Sequence, residues 1–473
     1  MNKEVKKVLF SSITFLYYFL PMVLLLYLIV PKILKNAVLL CASLIFYGWG
    51  EPKYIVLMVF AILSSYILGL LIDKFRSTML SKIFVTMSIV SSLGILAYFK
   101  YADFFISNFN TVTGLDVPLL KLALPIGISF YTFQTLSYTI DLYWGNVPVQ
   151  KNLISFATYV VLFPQLIAGP IVRYIDIDKQ LEDRTHSLEK VALGIRRFTL
   201  GLGKKILIAN QLGELCEIFR AMETKTVLFY WLYAVAFMLH IYFDFSGYSD
   251  MAIGLGKIFG FDFMENFNYP YISASVTEFW RRWHISLSTW FRDYLYIPLG
   301  GNRVSNAKRL RNIFIVWLAT GFWHGAAWNF IIWGLYFAVI LLIEKHWLLD
   351  QLNKCKVINH IYVLFLVAIS FVIFNAADMS EAFVYIGGMF GIGADGFVDA
   401  EWFYYIRSYG LILLLGIVGA TPLPKLIMSK IEANPYGKKC LLVLEPIALA
   451  FMMLVMTAYL VDGSFNPFLY FRF

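Results

Sequence analysis

His324 stands near the middle of an uncharged stretch, residues 312–343, bounded by Arg311 and Glu344. An imidazole in apolar surroundings favours its neutral form, and a neutral ring can take a proton from a hydroxyl. A positioned base of this kind contributes about a hundred to ten-thousand-fold to a rate. Ionisable groups at membrane depth are costly and mark pathways or reaction centres. The alternative is a packing histidine satisfied by a carbonyl of the next helix. The stretch is far longer than the roughly 20 apolar residues that one crossing needs, so the chain is expected to span, pause and turn. His324 falls at the pause, in Gly321-Phe322-Trp323-His324-Gly325.

His284 is the second candidate. Ser275-Val276-Thr277-Glu278 has capping-box spacing and predicts a helix start. The helix is expected to run through the aromatic block to Pro298, before Gly300-Gly301. Four-residue spacing would place Trp280, His284 and Ser288 on one face, with Phe291 close by, and would let Glu278 pair with Arg282. Such an aromatic and cationic helix suits the protein interior or a polar cavity. The competing assignment makes Trp280, Trp283 and Trp290 an interfacial belt whose arginines reach headgroups.

Upstream, His240 and Asp244 are four apart near the end of an apolar run, followed by Ser246, Tyr248 and Asp250. These groups could orient one another or carry protons; fixing a helix break is the stronger expectation. No local pattern such as H-E-x-x-H joins His240, His284 and His324, which argues against a metal site. Gly254-Leu255-Gly256 fails the dinucleotide fingerprint and fits close helix packing. Farther toward the N-terminus, Pro125, Gly127, Ser129, Tyr131, Thr132 and Gln134 set helix breakers and polar groups inside an apolar run, and Pro164-Gln165 and Gly169-Pro170 do the same. Freed backbone groups survive at that depth only when buried or lining a cavity, so Gln134 and its neighbours are candidate cavity walls.

Between Arg281 and Arg311 lie Arg281, Arg282, Arg292, Arg303, Lys308, Arg309 and Arg311 against Asp293, a local balance of +6. Short basic loops stay cytoplasmic, so this segment is expected to border the cytoplasm. Topology and lipid headgroups account for it; an anionic, phosphate-bearing donor is the sharper reading, and both can hold together. Without a soluble basic module, nucleic acid is not an expected partner.

The elements that must hold these groups are helices in a bilayer. Of 473 residues, 60% are hydrophobic and 15% charged, too little polar surface for a soluble domain of that length. Uncharged runs at 8–31, 54–72, 83–99, 122–140, 152–172, 226–243, 357–377, 408–424 and 446–461 are long enough to span, or nearly so. With the split run around His324 and shorter segments, about ten to twelve crossings are expected, with re-entrant and amphipathic pieces. The N-terminal run lacks a cleavage site and is expected to be a retained span. Cys41, Cys216, Cys355 and Cys440 are too scattered for a disulfide framework. The polar interval 173–205 should end in an amphipathic surface helix, and the absence of repeats or composition breaks suggests one membrane domain, residues 1–473.

The strings Tyr242–Asp250 and Glu265-Asn-Phe-Asn-Tyr-Pro-Tyr271, the block Glu278–Arg303 and the Gly321–Gly325 segment resemble the membrane-bound O-acyltransferase superfamily, in particular its polysaccharide-acetylating branch acting on alginate or peptidoglycan. The likeness continues from Phe10-Ser-Ser through Tyr47-Gly-Trp-Gly-Glu-Pro-Lys53 and residues 123–134 to the aromatic C-terminus. The resemblance implies an all-α, multi-pass fold around a central tunnel in the cytoplasmic (inner) membrane. It maps the catalytic histidine onto His324 and a second onto His284. It also implies a cytoplasmic acetyl donor such as acetyl-CoA, with no tightly bound cofactor, and an extracytoplasmic partner with a serine-hydrolase-like fold. Asp244, Ser246, Tyr248, Trp280, Arg281, Arg282, Ser288, Arg292, Arg303, Gln134, Trp323 and Asn329 are the accompanying candidates for donor or tunnel binding. His240 stands where relatives would carry glutamine, so no catalytic role is assigned to it. Two alternatives remain: transfer of D-alanine to teichoic acid by a sister enzyme, and a lipid or sugar flippase without acyl chemistry.

Overall fold

The computed structural model describes residues 10–352, 354 and 356–462. The basic N-terminal residues, Cys355 and the aromatic C-terminus ending at Phe473 lie outside them. Every regular element among the described residues is a helix, and eight of these helices are long and apolar enough to cross a membrane: Lys32–Gly50, Ile55–Lys74, Met79–Thr113, Val227–Ile258, Trp328–Leu348, Val357–Asn375, Ala400–Gly419 and Pro435–Val461. A shorter apolar helix, Phe15–Ile29, occupies the expected first span. The protein is a multi-pass, all-α membrane protein.

Two of the expected spans take another form. Residues 122–140 yield a helix of 17 residues, Ile128–Trp144, entered through Gly127 at φ +74° and closed by Gly145 at φ +82°. Residues 152–172 yield the short helices Leu153–Val161 and Phe163–Leu166, broken at Leu162 ahead of Pro164. Left-handed glycines bound the first helix, and a proline in the first turn of the new helix accompanies the second break.

Two compact units emerge, one of residues 1–198 with 251–264, the other of residues 199–250 with 265–473. In the first, the interrupted helices are buried; Asn152 caps Leu153–Val161 by accepting from the Ile154 and Ser155 amides. Gly254 packs there as its sequence context suggested: a Cβ would lie 2.6 Å from the Gly194 carbonyl oxygen. The second unit is organised around an aromatic core that includes Phe237, Phe279, Trp280, Trp283, Trp333, Phe337 and Phe371.

The polar interval does end in a helix, Leu188–Gly203. Its continuation is not surface, however. Lys205 is buried in the second unit, where its ammonium pairs with Asp244 at 2.6 Å.

Candidate active site

The uncharged run around His324 folds as a helical hairpin. Asn306–His324 rises to the histidine, Gly325 breaks the helix in extended backbone, and Trp328–Ile343 returns. Glycine sets the closeness of the two arms. A Cβ on Gly321 would run into the Phe330 carbonyl oxygen, and one on Gly334 into that of Trp317.

His324 therefore ends its helix buried among aromatic edges. Its ring centroid lies 5.1 Å from Trp333 and 5.2 Å from Phe374, both nearly perpendicular. Phe330 packs on Phe374 at 5.0 Å. Asn329 donates its side-chain N–H to the Ala376 carbonyl at 3.0 Å, while its Oδ1 is buried without a partner. The indole N–H groups of Trp280 and Trp333, whose centroids are 5.6 Å apart, are also buried and unpartnered.

His284 sits where one continuous helix was expected. Ser275 does start the helix, accepting from the Glu278 amide at 3.0 Å, and Glu278 pairs with Arg282 at 2.8 Å. The Glu278 carboxylate reaches the Ala274 amide instead of that of Ser275. The helix then stops at Arg282, His284 takes φ +45°, and a second helix runs Ile285–Phe291 before a π-helical turn, Arg292–Tyr296. Trp280, His284 and Ser288 consequently do not form one helical stripe, although the Ser288 hydroxyl still reaches the Trp280 carbonyl at 3.3 Å.

Asn266 explains the break. Its carbonyl accepts from the Ile285 amide at 3.0 Å, and its Oδ1 accepts from the Ser286 amide at 3.2 Å and hydroxyl at 2.9 Å. Amides at the start of the second helix, which an unbroken helix would satisfy internally, thus find partners across the loop. The same Oδ1 is 3.2 Å from His284 Nδ1, and the Asn266 N–H donates to Ser249 at 3.1 Å. With Asn266 oxygen facing it, Nδ1 carries the proton and Nε2 presents its lone pair. Nε2 is buried without a partner. Burial pushes the His284 pKa down to about 3, so the ring is neutral at physiological pH.

Trp323 connects the two histidines: its ring is 5.8 Å from that of His284 and 5.0 Å from that of His324. On the other side of His284, Phe245 meets it edge-on at 4.6 Å, which brings the 227–258 helix to the site.

On that helix Asp244 and Tyr248 are buried, Asp244 in its ion pair with Lys205, and Ser246 is buried with its hydroxyl unpartnered. Lys204 pairs with Asp250 at 2.7 Å. His240 Nδ1 lies 2.6 Å from the Ala209 carbonyl, a helix-packing bond. The basic residues behave differently: Arg281 and Arg303 are exposed and Arg292 pairs with its neighbour Asp293 at 2.7 Å, so none of these three joins the histidines. Gln134 belongs to the first unit, where both its amide atoms are buried without partners. Sequence reasoning had not singled out Asn266, Lys205, Trp333 or Phe374. Asn266 lay within a quoted motif and Trp333 within the long apolar run, but neither spacing revealed its contacts.

Two buried imidazoles, His284 and His324, thus lie on either side of one indole in the second unit, an arrangement of side chains chemically able to accept and pass protons. Residues 147–374 match the model of the membrane-bound O-acyltransferase family. A probable alginate O-acetylase of Azotobacter vinelandii is 44% identical over 81% of this chain and 78% of its own. One from Pseudomonas putida is 39% identical over 98% and 100%. The peptidoglycan O-acetyltransferase of Helicobacter pylori is 33% identical over 81% and 80%. The chain belongs to the membrane-bound O-acyltransferase family.

Proposed function

We propose that this protein is an O-acetyltransferase of the cytoplasmic (inner) membrane that takes an acetyl group from a cytoplasmic thioester, acetyl-CoA, for modification of an exported or cell-envelope polysaccharide. His324 acts as general base. It takes the proton of the acceptor hydroxyl as the oxygen attacks the thioester carbonyl; the carbon–sulfur bond breaks, and the imidazolium returns the proton to the departing thiolate. The products are an acetyl ester and free thiol, and the ring ends neutral as it began.

His284 assists on the donor side by positioning the thioester, its Nε2 serving as a hydrogen-bond acceptor. The acceptor hydroxyl is that of the polysaccharide or of an extracytoplasmic serine-hydrolase-like partner that passes the acetyl group on. The basic segment 303–311 favours the donor phosphates. The names of the relatives support acetyl as the group and polysaccharide as the final acceptor. The observation that carries the reading is the pair of buried histidines joined through Trp323.

The test uses radiolabelled acetyl-CoA with inside-out vesicles. Wild-type protein forms a new acetyl ester, and His324→Ala, folded by its thermal transition, loses at least about a hundredfold in rate. A folded His324→Ala protein that acetylates at the wild-type rate overturns the assignment, and movement of an intact lipid or sugar without a new ester identifies a flippase.

A further inference from the structure

The apolar helix Phe15–Ile29 carries Leu25, Leu28 and Ile29 on its exposed surface, and the chain turns at Pro31 into the helix Lys35–Gly50. Such side chains suit contact with lipid. At this turn the first unit gathers basic groups from stretches about 150 residues apart in sequence.

Their positions are fixed chiefly by neutral partners. Lys35 Nζ lies 4.7 Å over the Tyr27 ring. The Tyr27 hydroxyl donates to the Phe259 carbonyl at 2.7 Å and is 2.9 Å from His186 Nε2. Arg184 donates to Asn36 Oδ1 at 2.7 Å, and its guanidinium lies 4.4 Å over the Phe261 ring. Gly260, at φ +87°, seats the loop: a Cβ there would lie 3.1 Å from His186 Nε2 and 3.2 Å from Arg184 Cβ.

The carboxylate that joins the group is Asp183, paired with Lys32 at 2.5 Å where both side chains are largely exposed. Lys32, Lys35 and Arg184 give three positive charges against that one, a balance of +2. Burial, then the charges of Lys35 and Arg184, hold the His186 imidazole below its usual pKa, leaving it a neutral hydrogen-bonding group. Like charges held together by rings and amides form a site preorganised for an anion.

We propose that Lys35 and Arg184, with Lys32 and His186 beside them, bind the phosphate of an anionic lipid headgroup. A guanidinium and an ammonium match phosphate oxygens. The lipid-exposed helix beside them favours a phosphate that arrives on an acyl-chain anchor over one free in water. This site is independent of the acyl-transfer assignment.

Full-length protein purified in detergent is titrated with phosphatidylglycerol or phosphatidylcholine and read by native mass spectrometry. The wild type binds phosphatidylglycerol in preference. Lys35→Gln and Arg184→Gln each weaken that binding about fivefold and together roughly thirtyfold, with phosphatidylcholine binding unchanged. Should the double variant fail to fold, the single variants decide. Wild-type phosphatidylglycerol affinity in the folded single variants overturns the proposal. So does inorganic phosphate that displaces the lipid at low millimolar concentration, which would mark a site for a soluble anion.

Discussion

Lys205 Nζ and Asp244 Oδ1 lie 2.6 Å apart, their side chains 2% and 0% exposed. Removing one member of a buried ion pair strands the other charge and costs about 3–5 kcal/mol, whereas replacing both by apolar groups of similar volume is often tolerated. Lys205→Met and Asp244→Leu should therefore each lower the thermal midpoint sharply, and the double variant should recover most of the loss. If Asp244 acts only through this pair, acetyl transfer recovers with stability. A stable double variant without activity would give Asp244 a direct role at the site.

His284 provides a pH signature. Its folded-state pKa is pushed down to about 3, while an unfolded histidine titrates near 6.5. Between those values the unfolded chain binds a proton that the folded chain refuses, so stability falls as pH drops from about 6.5. His284→Gln removes this contribution. Thermal midpoints measured from pH 7.5 to 4.5 should decline less in the variant than in the wild type, and parallel curves would contradict a buried neutral ring.

The hairpin that presents His324 depends on two glycines. Gly321→Ala or Gly334→Ala places a methyl against a backbone oxygen of the opposite arm, where no side chain can swing aside. Each should cost about 1–3 kcal/mol and reduce kcat by displacing His324 from Trp333 and Phe374. Activity and unfolding assays on the purified variants test this, and wild-type values in both would refute it.

Glu344 and Arg282, which both support the helix Val276–Arg282, should differ in how much their loss costs. The fully buried Glu344 carboxylate accepts from the Val276 amide at 2.7 Å, the Thr277 amide at 2.9 Å and the Thr277 hydroxyl at 2.7 Å, capping the helix that leads to His284. Glu344→Ala should destabilise by about 2–3 kcal/mol. Arg282→Ala breaks only the partly exposed pair with Glu278 and should cost under about 1 kcal/mol. Denaturant or thermal unfolding compares them directly; equal losses would show that Glu344 does not hold that helix.

The sequence by itself determined the membrane class, most of the span-length helices, the turn at His324 and the helix start at Ser275. These follow from local quantities: run length, glycine placement and capping residues one turn apart. It also brought both histidines forward, because an imidazole in an apolar or aromatic setting is conspicuous on chemical grounds alone.

Only the tertiary structure decided how they are held. Residues 276–297 have the local pattern of one helix, yet Asn266, distant in sequence, supplies partners for the Ile285 and Ser286 amides and stabilises the break at His284. Lys205 ends a polar interval and reads as surface until Asp244 faces it in the interior. Arg292 and Arg303 belong to a conspicuous basic segment but stay outside the histidine cluster, since charge spacing does not specify direction in space. The link from His284 through Trp323 to His324 crosses between helices. Such contacts depend on which residues packing brings together, and no periodicity along the chain encodes that.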